Sequence, residues 1–151
     1  MAMELDYDRS LHGKEFQAGP FLVTDETIRA FRQSIGETDP VFNDKAAARE
    51  AGYRGLGSVA PPTFCTLFVH QVELPNINLK FGRSRFHAGQ RVQSRRAIVV
   101  GDSLTASSQL KEVYPKTGRS GTMVFIVWET TFRNQRGEIV AEVQESFAVR
   151  E

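Results

Sequence analysis

The order of apolar and polar positions divides the chain into a helix-rich first half and a strand-rich second half. The short apolar run "FLVT" (Phe21 to Thr24) predicts a first strand. Ile28, Phe31 and Ile35 then recur at i, i+3 and i+7, one face of a helix. Thr24 suits its cap, Asp25 and Glu26 complement the positive end of its dipole, and Gly36 ends it. Asp44 predicts the cap of a second short helix through "KAAAREAG", closed at Gly52. After the glycine-rich "GYRGLGSVAPP", Pro61 and Pro62 predict a helix start, because a first-turn proline forfeits no hydrogen bond. The following "TFCTLFVHQVEL" is apolar nearly all round, with Phe64, Cys65, Leu67, Phe68, Val69, Val72 and Leu74. A helix of that kind is buried. From Pro61 to Leu74 it is expected to run about 20 Å.

Beyond residue 85 the period becomes two. Leu104, Ala106, Leu110 and Tyr114 alternate with Ser103, Thr105, Gln109 and Lys111. "TMVFIVWETTF" reads as a long strand with Met123, Phe125 and Val127 on one face. "RNQRGE" is a turn, and Ile139, Ala141, Val143, Phe147 and Val149 alternate after it with Val140, Glu142, Gln144 and Ser146. One buried helix and about four long antiparallel strands satisfy both periods when a curved sheet wraps the helix. That is an α+β chain of the hot-dog architecture.

Composition narrows the function classes. A chain of 151 residues is expected to form one domain, residues 1–151, with 40% hydrophobic and 25% charged positions as in soluble globular proteins. A net charge of +1 gives no global field for nucleic acid. The one cysteine, Cys65, excludes an internal disulfide and a cysteine metal cluster; it reads as a small core residue, not a nucleophile. His12, His70 and His87 lack paired metal-ligand spacing, so no metal is expected; His70 reads as a satisfied core histidine. The acidic "MAMELDYDRS" is not a secretory signal, and no apolar run is long enough to cross a bilayer. The simplest location is cytoplasmic. No Walker A or dinucleotide fingerprint exists, so no cofactor is expected.

The ordered pieces "FLVTDETIRAF", "GETDPVFND", "AAAREAGYRG", "APPTF", "FHAGQ", "VVGDSLT" and "GTMVFIVWETTFRNQRGEIV" resemble the MaoC-like dehydratase group of hot-dog proteins, specifically its N-terminal-type or non-catalytic-subunit branch. The likeness spans roughly residues 15 to 149 and rests on order and spacing together. The catalytic branch carries Gly-Asp-x-Asn-Pro-[Ile/Leu]-His-x-Asp. Here Gly36, Pro40 and Asp44 match, while Glu37 stands for the catalytic aspartate, Asp39 for the asparagine and Phe42 for the catalytic histidine. The resemblance implies hydration of trans-2-enoyl thioesters or dehydration of 3-hydroxyacyl thioesters. It also implies a partner subunit that supplies the missing aspartate and histidine.

That chemistry needs a base for water, an acid for the α-carbon, and donors for the charge that builds on the thioester oxygen. Thr63 and Phe64 offer the first N–H groups after Pro61 and Pro62, which have none to give. Pro62, Thr63, Phe64 and the loop glycine Gly57 are therefore the candidate substrate-binding residues; the plainer reading is the start of a core helix. The candidate proton-transfer residues are Glu37, Asp39 and His87. Phe42 cannot move a proton. Glu37 keeps the carboxylate on a longer arm, or is a solvated residue at a helix end. Asp39, before Pro40, also suits an Asx turn. A histidine suits acid–base work near neutrality, yet one at a strand end more often holds structure.

No acidic residue interrupts the run from Glu73 to Asp102, which contains Lys80, Arg83, Arg85, Arg91, Arg95 and Arg96. Such a stretch suits coenzyme A phosphates or an acidic acyl carrier protein, or is an ordinary solvated face. Three functions stay open. The chain is a substrate-binding subunit of a heterodimeric dehydratase or hydratase, an independent dehydratase or thioesterase with altered residues, or a non-catalytic acyl-CoA-binding homodimer. All three imply a dimer and an acyl-CoA or acyl-carrier thioester, and neither nucleic acid nor membrane.

Overall fold

The computed structural model describes residues 3–53 and 58–151. Its strands are β1 (Phe16–Leu22), β2 (Ser84–Ser94), β3 (Ser103–Gly118), β4 (Gly121–Arg133) and β5 (Ile139–Arg150). Its helices are α1 (Asp25–Ile35), α2 (Lys45–Glu50) and α3 (Thr66–Val69). The strands pair antiparallel in the order β1-β3-β4-β5-β2, which leaves β1 and β2 at the two edges. This is the hot-dog fold.

Local chemistry sets the helix ends where the sequence places them. The Thr24 hydroxyl accepts from the Thr27 N–H while the Thr27 hydroxyl accepts from the Thr24 N–H, a reciprocal cap at 3.1 Å each way. Gly36 closes α1 in the left-handed region at φ 70°. The Asp44 carboxylate accepts from the Ala46 N–H and starts α2.

The inner face of the sheet is built from aligned rows. Phe132 lies beside Ala106 and Ala141, Thr130 beside Ser108 and Val143, and Trp128 beside Leu110 and Glu145. Phe64, Cys65, Phe68, Val69 and Val72 pack into this face, in one cluster with Leu104, Phe132 and Val143. Each large side chain so buried contributes roughly 1.5–3 kcal/mol. The Ser108 and Thr130 hydroxyls, both buried, satisfy each other at 2.7 Å.

Four sequence expectations are corrected. The first strand begins at Phe16 rather than Phe21 and flanks the four long strands expected, with a register shift at Gly19–Pro20. The long central helix is only four residues of α-helix. It is preceded by tight turns in which Phe64, Thr66, Leu67 and Phe68 each donate three residues back. Aromatic and β-branched side chains crowd this segment and disfavour a regular helix. Nor is the segment buried all round, because Leu67 and His70 are exposed, so His70 is not a core histidine. In β4 the face with Met123 and Phe125 is the outer one; the fully buried face carries Val124, Ile126, Trp128, Thr130 and Phe132.

Candidate functional site

The segment before the tight turns forms one wall of a cavity. Its position is set by backbone pairing, in which Ala60 N–H donates to the Ile98 carbonyl at 2.8 Å and Val100 N–H to the Ser58 carbonyl at 3.1 Å. Asp102 fixes the facing turn. Its buried carboxylate accepts from the Val99 N–H at 3.0 Å and from the Gln135 amide at 3.0 Å. Between these walls lies a cavity of about 230 Å³, bordered by Ala60, Pro61, Pro62 and Ser94, with Phe42 and Tyr53 on the third side. Arg95 and Arg96 also border it and are held by carboxylates of β5 and the turn before it. Arg95 reaches Glu142 at 3.3 Å, and Arg96 reaches Glu138 at 3.1 Å. Among the described lining residues there is no imidazole and no carboxylate.

Of the candidate substrate-binding residues, Pro62 lines the cavity. Thr63 is exposed beside it, and among the described residues its N–H has no backbone partner. Phe64 points into the core at 0% exposure, and its N–H already donates to the Pro61 carbonyl at 3.0 Å. Gly57 lies outside the described residues. Cys65 is buried, and desolvation pushes its thiol up to about 12, which keeps it protonated and unreactive.

The candidate proton-transfer residues do not converge. The half-buried Glu37 follows the α1 cap and accepts from the Asp39 N–H at 2.9 Å. Asp39 in turn accepts from the Val41 N–H at 3.0 Å, so both carboxylates tie the turn that carries Phe42 to the cavity. His87 lies on β2 seven residues before Ser94, a separation of about 23 Å along an extended strand. The basic stretch runs through the β2 edge, with Arg85 and Arg91 in the strand and Arg95 and Arg96 just past it, all exposed.

His87 has a partner that sequence reasoning missed. Its Nε2 lies 2.9 Å from the Glu145 carboxylate, and the Gln90 amide donates to the same oxygen at 3.4 Å. Glu145 is 5% exposed and sits on the inner face opposite Trp128. The signal was present in the alternation Ala141, Val143, Phe147, Val149, which omits position 145. A charged residue in the middle of an apolar strand face costs stability unless paired, and so marks a site.

Comparison with known proteins agrees with this architecture. Residues 10–143 match the family described as FAS1-like, dehydratase domain region, and the chain belongs to that family. A UPF0336 protein of Parafrankia sp. is 36% identical over 127 residues, which are 82% of this chain and 80% of that one. Among solved structures, the C-terminally truncated HadBC (3R-hydroxyacyl-ACP dehydratase) complex of Mycobacterium tuberculosis superposes with a TM-score of 0.76 at 23% identity, covering 93% of this chain and 98% of that chain. The ChsH1–ChsH2 complex of the same organism gives a TM-score of 0.67 at 21% identity, covering 91% and 83%. Both share the hot-dog fold, and the resemblance to MaoC-like dehydratases read from the motifs holds.

Proposed function

We propose that this chain is the substrate-binding subunit of a 3-hydroxyacyl-thioester dehydratase or enoyl-CoA hydratase. One observation carries the reading. The cavity beside Pro61 and Pro62 has the size and placement for an activated acyl group, yet Phe42 occupies the family's histidine position and the described lining residues include neither an imidazole nor a carboxylate. The Thr63 N–H, which has no backbone partner among the described residues, donates to the thioester oxygen. Glu37 and Asp39 serve the turn, and the base and acid come from a partner hot-dog subunit. Arg95 and Arg96 give the mouth a basic border, suited to the phosphates of coenzyme A or an acidic carrier protein. The unpaired edge of β2 is the surface through which a second hot-dog chain extends the sheet. In support, the HadBC and ChsH1–ChsH2 structures are both complexes.

The test is hydration of crotonyl-CoA by the chain alone and after co-expression with a MaoC-like partner that carries the aspartate and histidine. Turnover only with the partner agrees with the proposal. Turnover by the chain alone overturns it in favour of an independent enzyme, with Glu37→Gln and His87→Ala as the variants that identify the base. Failure to bind crotonyl-CoA in either state ends the acyl-thioester reading.

A further inference from the structure

We propose that Phe42 sets the acyl length this chain accepts, and holds it to short 2-enoyl thioesters of about four to six carbons. The inference rests on the acyl-thioester reading above and adds to it a substrate class and the residue that determines it.

Three observations lead there. The first is size. The cavity holds about 230 Å³, and at roughly 30 Å³ for each water-sized group it takes about seven or eight such groups. The carbon, oxygen and sulfur of a thioester fill about three of these places and leave about four or five to further carbons.

The second is the floor, which is packed core. Ala60 and Ile98 line the cavity, are buried, and are joined by the 2.8 Å bond from the Ala60 N–H to the Ile98 carbonyl. They share one cluster with Phe64. Phe64 in turn meets Phe31 and Phe68 edge-on, with ring centroids 5.5 Å and 5.3 Å away, and Phe68 stacks on Phe21 at 4.7 Å. This aromatic row fills the interior behind the prolines at close-packed density, so an acyl chain does not run on from the cavity into the core.

The third is the wall opposite the prolines. Phe42 is half-buried, on a turn whose neighbours Asp39, Asn43 and Asp44 are polar and exposed. The backbone around it is pinned. The Asp39 carboxylate accepts from the Val41 N–H at 3.0 Å, the Phe42 N–H donates to the Asp39 carbonyl at 3.1 Å, and the Asp44 N–H donates to the Pro40 carbonyl at 2.8 Å. A bulky ring held this way is a fixed, preorganised boundary. Its size can change without opening the core, unlike that of Ile98 or Phe64. The acyl group therefore lies between the prolines and Phe42, and its carrier leaves past Arg95 and Arg96.

The test is calorimetry of the full chain, alone and with the co-expressed MaoC-like partner, titrated with crotonyl-, hexenoyl-, octenoyl- and decenoyl-CoA. A pocket without an end wall would gain about fourfold in affinity for each added methylene. The proposal expects the reverse beyond hexenoyl-CoA, with octenoyl- and decenoyl-CoA bound at least tenfold more weakly than crotonyl-CoA. Phe42→Ala removes the ring and should raise the ratio of octenoyl- to crotonyl-CoA affinity at least tenfold. Phe42→Leu keeps an apolar side chain on the turn and should raise the same ratio by a smaller factor. Wild-type affinity that climbs steadily with length overturns the proposal, and so does a ratio that neither variant moves. A loss of equal size at every length makes Phe42 a structural residue and overturns it too. In each of these cases thioesters still bind, and the acyl-thioester reading stands. If wild type and variants bind none of the four thioesters in either state, that reading fails and the length limit falls with it.

Discussion

Deleting the His87 imidazole leaves the Glu145 carboxylate buried beside Trp128 with only the 3.4 Å contact to Gln90. Breaking a fully buried ion pair by removing one partner costs about 3–5 kcal/mol, because the remaining charge has lost its compensation. Here His87 is 44% exposed, so water reaches the vacated position and the cost falls to about 1–2 kcal/mol for His87→Ala. In a chain of this size each kcal/mol moves the midpoint by about 2–4 °C, so a drop of about 2–8 °C is expected in a thermal melt. Glu145→Leu removes the charge and supplies apolar surface to Trp128 and Phe147, and should leave stability unchanged or raise it by up to about 2 kcal/mol. The double variant should match Glu145→Leu to within about 0.5 kcal/mol, since nothing buried is then unpaired. The assay is calorimetric or circular-dichroism melting of all four proteins. If Glu145→Leu falls as far as His87→Ala, the pair is held for stability, and the argument that it persists for a function is refuted.

Ser94→Trp should fill the cavity from an exposed strand end, weakening crotonyl-CoA binding at least tenfold with the melting midpoint unchanged; unchanged affinity removes the cavity from the site. Gly82 adopts φ 70° with the Arg150 carbonyl oxygen 2.6 Å from where a Cβ would sit, so Gly82→Ala should cost about 1–3 kcal/mol in urea unfolding. The hydrogen bond from Gln144 and the contact with Lys111 hold the Glu129 carboxyl below its ordinary 4.5 despite partial burial. A folded-state value below the unfolded one makes its contribution complete above about pH 5, and lost as pH falls through the depressed value. Glu129→Gln should therefore show a smaller loss of stability between pH 6 and pH 3 than the wild type; equal losses refute the assignment.

Much of the fold was legible because single residues set it locally. Thr24, Gly36 and Asp44 cap or close the elements they were expected to, and the alternation after residue 85 gave long antiparallel strands and the β4–β5 hairpin. The central segment misled because apolarity reports burial, not helix length; Phe64, Cys65, Phe68 and Val69 pack equally well from tight turns. Along β4 both faces carry apolar residues, so period two alone could not say which one meets the core. The site was legible in part. A cavity does lie at Pro61 and Pro62, bordered by Phe42, although the helix expected to start at those prolines begins only at Thr66. The distance between that cavity and His87 depends on the length of β2, and the Glu145 partnership joins residues 58 positions apart in sequence. Neither is written in a local motif.

The most direct test of the central claim is chemical-shift mapping of the nitrogen-15-labelled chain titrated with crotonyl-CoA. The account predicts that the largest amide shifts fall on Ala60, Thr63 and residues 94–98 around the cavity, with no hydrated product accumulating. Absence of shifts, or shifts centred on the polar outer face at Thr105, Ser107 and Thr131, would contradict it.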